Sequence, residues 1–215
     1  MSKKLLFLLP IAMLALTGCG KDDKKSEEPE KEVPASLVFN LDAVGEFEIA
    51  GSTYAANDFT FSIGDYEFGC KGGTFGRSAH RDGEMNWFND NKVMQLKAND
   101  SGETVKLNTE YPAKKIVFDV VSTYDTQAEA YYPVVKAGEE ATSLDVTGVS
   151  CDKSGTVNGV KIEGAKQGNK KDGDVVVGYD VYRYSYEYTL PEGTKFISFG
   201  AGSGALNFIS ATISK

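Results

Sequence analysis

The sequence predicts an all-β domain, an antiparallel β-sandwich of jelly-roll type, on three observations. Short runs of alternating apolar and polar residues recur from Leu37 to Ile213, the pattern of strands with one buried face. Gly, Asn, Asp and Pro punctuate those runs as turns do. No window of useful length keeps the helical period of about 3.6 residues. Many short strands separated by turns are the mark of antiparallel sandwiches.

Taken in order, Leu37, Phe39 and Leu41 share one face, opposite Val38 and Asn40. Phe59, Phe61 and Ile63 alternate with Thr60 and Ser62, and Val105 and Leu107 frame Lys106. Ile116, Phe118 and Val120 lie opposite Asp119, and Val160 and Ile162 flank Lys161. Each reads as a half-buried strand. Tyr124 to Tyr131 is the one stretch read as a single helical turn. Tyr182, Tyr184, Tyr186 and Tyr188 form a stripe with Val181, Arg183, Ser185 and Glu187 on the other side. That other side is mostly polar, so the stripe is expected in the core with its hydroxyls reaching the rim. A sugar-stacking platform is the weaker alternative. Leu190-Pro191-Glu192-Gly193 turns the chain, and Lys195–Phe199 and Leu206–Ile213 read as two closing strands across the Gly200–Gly204 turn.

Ahead of this domain, Lys3 and Lys4 precede an apolar run from Leu5 to Leu16 broken only by Pro10. The run is shorter than the roughly 20 apolar residues a membrane span needs and has the anatomy of a secretory signal. It ends in Leu16-Thr17-Gly18-Cys19, which resembles the lipobox of bacterial lipoproteins. The resemblance implies that residues 1–18 are a cleaved signal peptide. It also implies that Cys19 carries a diacylglycerol thioether and an N-terminal acyl chain, enough for stable membrane attachment. Gly20 to Pro34, GKDDKKSEEPEKEVP, has almost no apolar surface to offset the entropy of ordering. Residues 19–34 are therefore expected to be a disordered tether reaching at most about 50 Å. Lys21-Asp22-Asp23 resembles the export signal of Bacteroidota-type surface lipoproteins, which implies display on the outside of the outer membrane. Residues 35–215 remain as one domain, long enough to bury a full core.

Removing residues 1–18 takes away two of 23 basic residues and none of 31 acidic ones, moving the net charge from −8 to −10. An acidic chain with three arginines is a poor partner for nucleic acid, where binding rests on neutralising phosphates. The membrane partner is therefore expected through the lipid anchor and not through charge. Cys70 and Cys151 are an even pair in an exported chain, either bridged or two separate thiols. A bridge closing so long a loop would add roughly 4–5 kcal/mol on the chain-entropy account.

The segment from Gly72 to Asn91 is the least strand-like part of the domain. It holds His80, the only histidine, Trp87, the only tryptophan, and Arg77 and Arg81. An arginine fork beside an aromatic plate suits a saccharide or a carboxylate, because guanidinium donates paired hydrogen bonds while the ring covers an apolar sugar face. Arg77, His80, Arg81 and Trp87 are the candidate ligand-binding residues; the alternative is Trp87 and Phe88 plugging the core end with solvated arginines. A single histidine forms no transition-metal cluster, the cysteines lack ligand spacing, and no nucleophile elbow or distinct carboxylate pair stands out. No enzyme activity and no catalytic residue are expected. No cofactor is expected either. Asp172-Gly173-Asp174 and Asp152-Lys153-Ser154-Gly155 offer oxygens of the kind a structural calcium takes, but match no EF-hand loop and read as turns.

Three segments together, Lys92–Lys97, Lys115–Phe118 and the tyrosine-rich strand through Leu190-Pro191 to Phe199 and Asn207–Ile213, are similar in order to jelly rolls of the galactose-binding-like (discoidin-like) type. That family includes carbohydrate-binding modules, so the resemblance implies a non-catalytic glycan-binding lipoprotein with a polysaccharide ligand. The alternative is a structural or adhesive surface protein whose partner is another protein. The lipid anchor is directly checkable: Cys19→Ala is expected to move the protein from the membrane to the soluble fraction. Continued sedimentation with membranes after a salt wash would overturn the assignment.

Overall fold

Asn40 decides how the first strand ends. Its Oδ1 accepts the Ala43 N–H at 2.9 Å, capping one helical turn that Gly45 closes with φ +74°. Leu41, expected to extend the strand face of Leu37 and Phe39, therefore lies in a helix instead. The computed structural model describes residues 32–49, 53–78, 84–127, 131–151 and 157–215. The chain divides into two units, Met1–Glu32 and Val33–Lys215, and the second carries the fold described here. The signal peptide, Cys19, the tether residues before Glu32, His80, Arg81 and the Asp152–Gly155 turn lie outside the described residues.

In chain order the elements begin with β1 (Ser36–Asn40), α1 (Leu41–Val44), β2 (Phe59–Ile63), β3 (Tyr66–Cys70), β4 (Phe75–Arg77) and β5 (Met85–Asn86). Then come α2 (Trp87–Asp90), β6 (Met94–Lys97), β7 (Val105–Leu107), β8 (Lys115–Ser122), β9 (Thr126–Gln127) and β10 (Pro133–Glu140). They continue with β11 (Ser143–Asp145), β12 (Ser150–Cys151), β13 (Val157–Asn158), β14 (Val160–Gly168) and β15 (Lys171–Asp172). The last are β16 (Val175–Val176), β17 (Tyr179–Thr189), β18 (Phe196–Ala201) and β19 (Ala205–Ser214).

Two antiparallel sheets dominate. One has nine strands in the order β4-β6-β19-β8-β17-β14-β5, with β1 beside β19 and β12 beside β17. The other has six in the order β11-β10-β18-β7-β3-β2. The last three strands alternate between them: β17 and β19 belong to the nine-stranded sheet and β18 to the six-stranded one. The Gly200–Gly204 turn is thus a crossover between sheets and not a hairpin, the sort of connection that makes a sandwich of jelly-roll type.

The inner faces meet in rings. Phe39 is fully buried, with Phe61, Phe68, Phe75, Phe199 and Phe208 centred between 5.4 and 6.0 Å from it. Phe118 of β8 sits 5.2 Å from Phe199 of β18 and 5.7 Å from Tyr188 of β17. The tyrosine stripe faces this core: Tyr184, Tyr186 and Tyr188 are buried and Tyr182 packs against the edge of the cluster. The Tyr184 hydroxyl donates to Tyr124 O and the Tyr188 hydroxyl to Pro133 O, so their polar ends are satisfied at the rim.

Two further local expectations change and one turn is where it was expected. Thr126–Gln127 is a strand paired with β13, so the stretch from Tyr124 does not form the expected helical turn there, and residues 128–130 are outside the described set. Val160 is exposed because it pairs with Arg183, on the outer side of β17. The register of β14 then shifts between Lys161 and Lys166, and Ile162 packs on a separate small cluster. Asp172-Gly173-Asp174 is the turn of the β15–β16 hairpin, with Gly173 at φ +59°.

Burial raises the Tyr184 pKa to about 12, and Tyr186 and Tyr188 are pushed higher still. A raised folded-state value means the stability these groups carry is complete below the unfolded value of about 10 and is lost as pH climbs above it. In an alkaline titration the three stripe tyrosines should ionise together with loss of the circular dichroism signal. Their ionisation near pH ~10 with the fold intact would contradict the packing.

Candidate functional site

Of the four sequence-predicted ligand-binding residues, Arg77 and Trp87 are among those described, and each is held by different neighbours. Arg77 closes β4, where its Nη2 donates to Glu46 Oε2 at 3.0 Å and its guanidinium lies 5.5 Å over the Phe47 ring. It lines a small cleft of about 280 Å³ with Asp42, Glu46, Ser78, Phe88 and Lys92, and an ion pair between Lys92 and Asp42 spans the two sides. Trp87 is not among the residues that line this cleft. It opens α2, half-buried, and packs beside Ile162 and Ile209 against Phe88, Val93, Val121, Ala165 and Val181.

The reason is the outer face of the nine-stranded sheet. Val121, Ala165 and Val181 are apolar residues there, and the segment around α2 covers them. The Phe88 N–H donates to the fully buried Gln167 Oε1 at 2.8 Å, which pins the cover in place. Arg77 is thus tied to Glu46, and Trp87 shields a second small core. Arg81 and His80 are outside the described residues.

Cys70 and Cys151 are not bridged. Cys70 is buried on β3 in the six-stranded sheet, while Cys151 on β12 pairs with Tyr188 in the other. Burial pushes the Cys70 thiol far above its ordinary pKa, which leaves little thiolate.

A different site emerges on the outer face of the six-stranded sheet. Register sets Thr60, Gly69, Lys106, Ser198 and Lys136 opposite one another across β2, β3, β7, β18 and β10. Two loops fold over the β18–β10 half of this row. Lys106 Nζ donates to Ala141 O at 2.5 Å, and Lys136 Nζ donates to Ser101 O at 2.5 Å and to Glu103 Oε1 at 3.1 Å. Gly200 lets one loop approach this closely, because a Cβ there would stand 2.6 Å from Gly102 O. The cover leaves Ser198 fully buried.

The β2–β3–β7 half stays open. It forms a trough of about 650 Å³ with Gly69 on its floor, flanked by Asp58, Thr60, Lys71, Glu103, Lys106 and Asn108. Asn108 Nδ2 donates to Glu67 Oε1 at 3.0 Å, which fixes the amide and leaves its oxygen for a ligand. Asp58 Oδ1 accepts the Gly72 N–H at 2.8 Å. The trough thus presents amide, hydroxyl, ammonium and carboxylate groups on a rigid sheet. Sequence reading missed it because its residues come from separate strands. The signal was a glycine in the middle of β3, with Glu67 and Lys71 on the same side of the pleat.

A third hollow, of about 560 Å³, lies on the nine-stranded sheet beside Val117, Val160, Ser185 and Ser210. Its charged groups satisfy each other: Arg183 Nε donates to Asp119 Oδ1 at 2.6 Å, and Nη2 to Oδ2. Among the described residues, no group of three or more His, Cys, Asp or Glu side chains could hold a metal ion, and no helix is long and apolar enough to cross a membrane.

Thiol labelling of the denatured, unreduced protein is expected to modify both Cys70 and Cys151, with Cys70 protected until denaturant is added. Labelling of neither would restore the bridge. No family model, no curated protein and no solved structure matches this chain.

Proposed function

We propose that this chain is a lipid-anchored lipoprotein of the outer-membrane surface that binds glycans without transforming them. The lipobox residues before Cys19 and the Lys21-Asp22-Asp23 run support the location, and the domain order similar to galactose-binding-like jelly rolls supports the ligand class. The observation that carries the reading is the open trough of about 650 Å³ on the six-stranded sheet. Its volume falls in the range of small-ligand sites, roughly 300–1,000 Å³. Sugars offer rings of hydroxyls that both donate and accept, and Thr60, Asn108 and Lys71 offer them complementary groups. A sheet holds such groups in place with little ordering cost on binding.

Gly69 makes the floor, so filling it tests the site. The three heavy atoms nearest a Cβ at Gly69 all belong to the Asn108 side chain, the closest its amide nitrogen at 3.3 Å, so a side chain added here presses first on Asn108 and fills the floor. With the mature chain carrying Cys19→Ser, glycan-array binding should be present in the parent and lost in Gly69→Val. Trp87→Ala should leave it unchanged. Absence of glycan binding in the parent, or binding indifferent to Gly69→Val, would overturn the proposal and favour a protein partner.

A further inference from the structure

Charge in the trough is unevenly committed. Of the lining carboxylates, Glu103 is neutralised by Lys136 Nζ at 3.1 Å, while Asp58 accepts the neutral Gly72 N–H at 2.8 Å and keeps its charge. Against that one charged carboxylate the trough sets two ammonium groups. Lys106 Nζ donates to a neutral carbonyl, Ala141 O, and the Lys71 side chain is exposed with no partner among the described residues.

Register sets their separation. Gly69 faces Lys106, and Lys71, one residue past the end of β3, lines the same trough two positions after Gly69. Such a diagonal spans about 7–8 Å, so the Lys71 stem can swing to an anionic group beside Lys106, whose ammonium keeps further donors beyond its bond to Ala141 O. The surrounding protein has a net charge of −8, which repels polyanions from its general surface. An anion captured by this chain therefore needs a local cationic spot.

Resting on the glycan reading above, we infer that the trough selects acidic saccharides, holding a sugar carboxylate or sulfate between Lys71 and Lys106. Thr60 and the Asn108 amide oxygen then take hydroxyls on the flanking rings. Charge-assisted hydrogen bonds supply the selectivity, since they are about twice as strong as neutral ones. A neutral sugar in the same place leaves both ammoniums without an anionic partner.

The test uses the mature chain with Cys19→Ser and isothermal titration against polygalacturonate, dextran sulfate, neutral galactan and dextran. One or both acidic polymers should bind about tenfold tighter than either neutral one, and added salt should narrow the gap. Which acidic polymer wins identifies the anionic group. Lys71→Gln should cost about tenfold for the acidic polymer and little for a neutral one. Lys71→Glu should abolish acidic binding, and thermal unfolding unchanged by either variant shows that the loss is not one of folding. Preference for a neutral polymer, or acidic binding indifferent to Lys71→Glu, overturns this inference while the glycan reading stands. Binding of no polymer in either class overturns both.

Discussion

The rest of the molecule depends on ring packing between the two sheets. Phe39, held by β1 at the edge of β19, touches rings from both layers, and Phe118 and Phe199 meet across the gap. Each buried aromatic removes a large apolar area from water, and edge-on contacts add to that. Among the described residues these inner faces are filled by packed side chains. The trough, the cleft beside Arg77 and the third hollow lie on the outer faces or at a rim, and the two outer faces are very different.

That difference follows from which residues point outward. On the nine-stranded sheet Val121, Val181 and Ala165 project away from the main core and require a lid, which the chain supplies with Trp87 and Phe88. On the six-stranded sheet the outward row is Thr60, Gly69, Lys106, Ser198 and Lys136, and only some of it is covered. The lysines of that row reach loop carbonyls and hold the two covering loops by their ammonium groups. Their stems shield Ser198 while their heads stay near solvent. One wall of the trough is thus built from the same residues that bring charge to it.

The sequence revealed what period-two patterning controls. Phe118 with Ile116 and Val120, and the tyrosine stripe of β17, point inward because one side of each strand is apolar. It concealed what long-range pairing controls. Nothing local in Val160 shows that its partner is Arg183 and its face the solvent one. Nothing local in Asn40 requires the strand to stop there, since the cap is a single side-chain acceptor against the pull of Leu41. Residues near in sequence also find different neighbours. Arg77 and Trp87, ten positions apart, are drawn to different partners, Glu46 and a patch of valines. Cys70 and Cys151 were an even pair on paper, and the sandwich puts them in different sheets.

Glycine placement then explains why the trough lies where it does. A strand residue between Glu67 and Lys71 with any side chain would raise the floor to the level of Asn108 and Lys106. Gly69 gives up packing and strand propensity, a cost of under about 1 kcal/mol for a substitution of this kind. The sheet tolerates it because its inner face keeps Phe68 and Cys70, both buried, on either side. On β18, two strands away, Gly200 has the complementary role: lacking a Cβ, it lets the 99–104 loop settle on the sheet. One missing side chain opens the surface and the other lets it be closed. The boundary between them runs along β7, and that is where Lys106 stands.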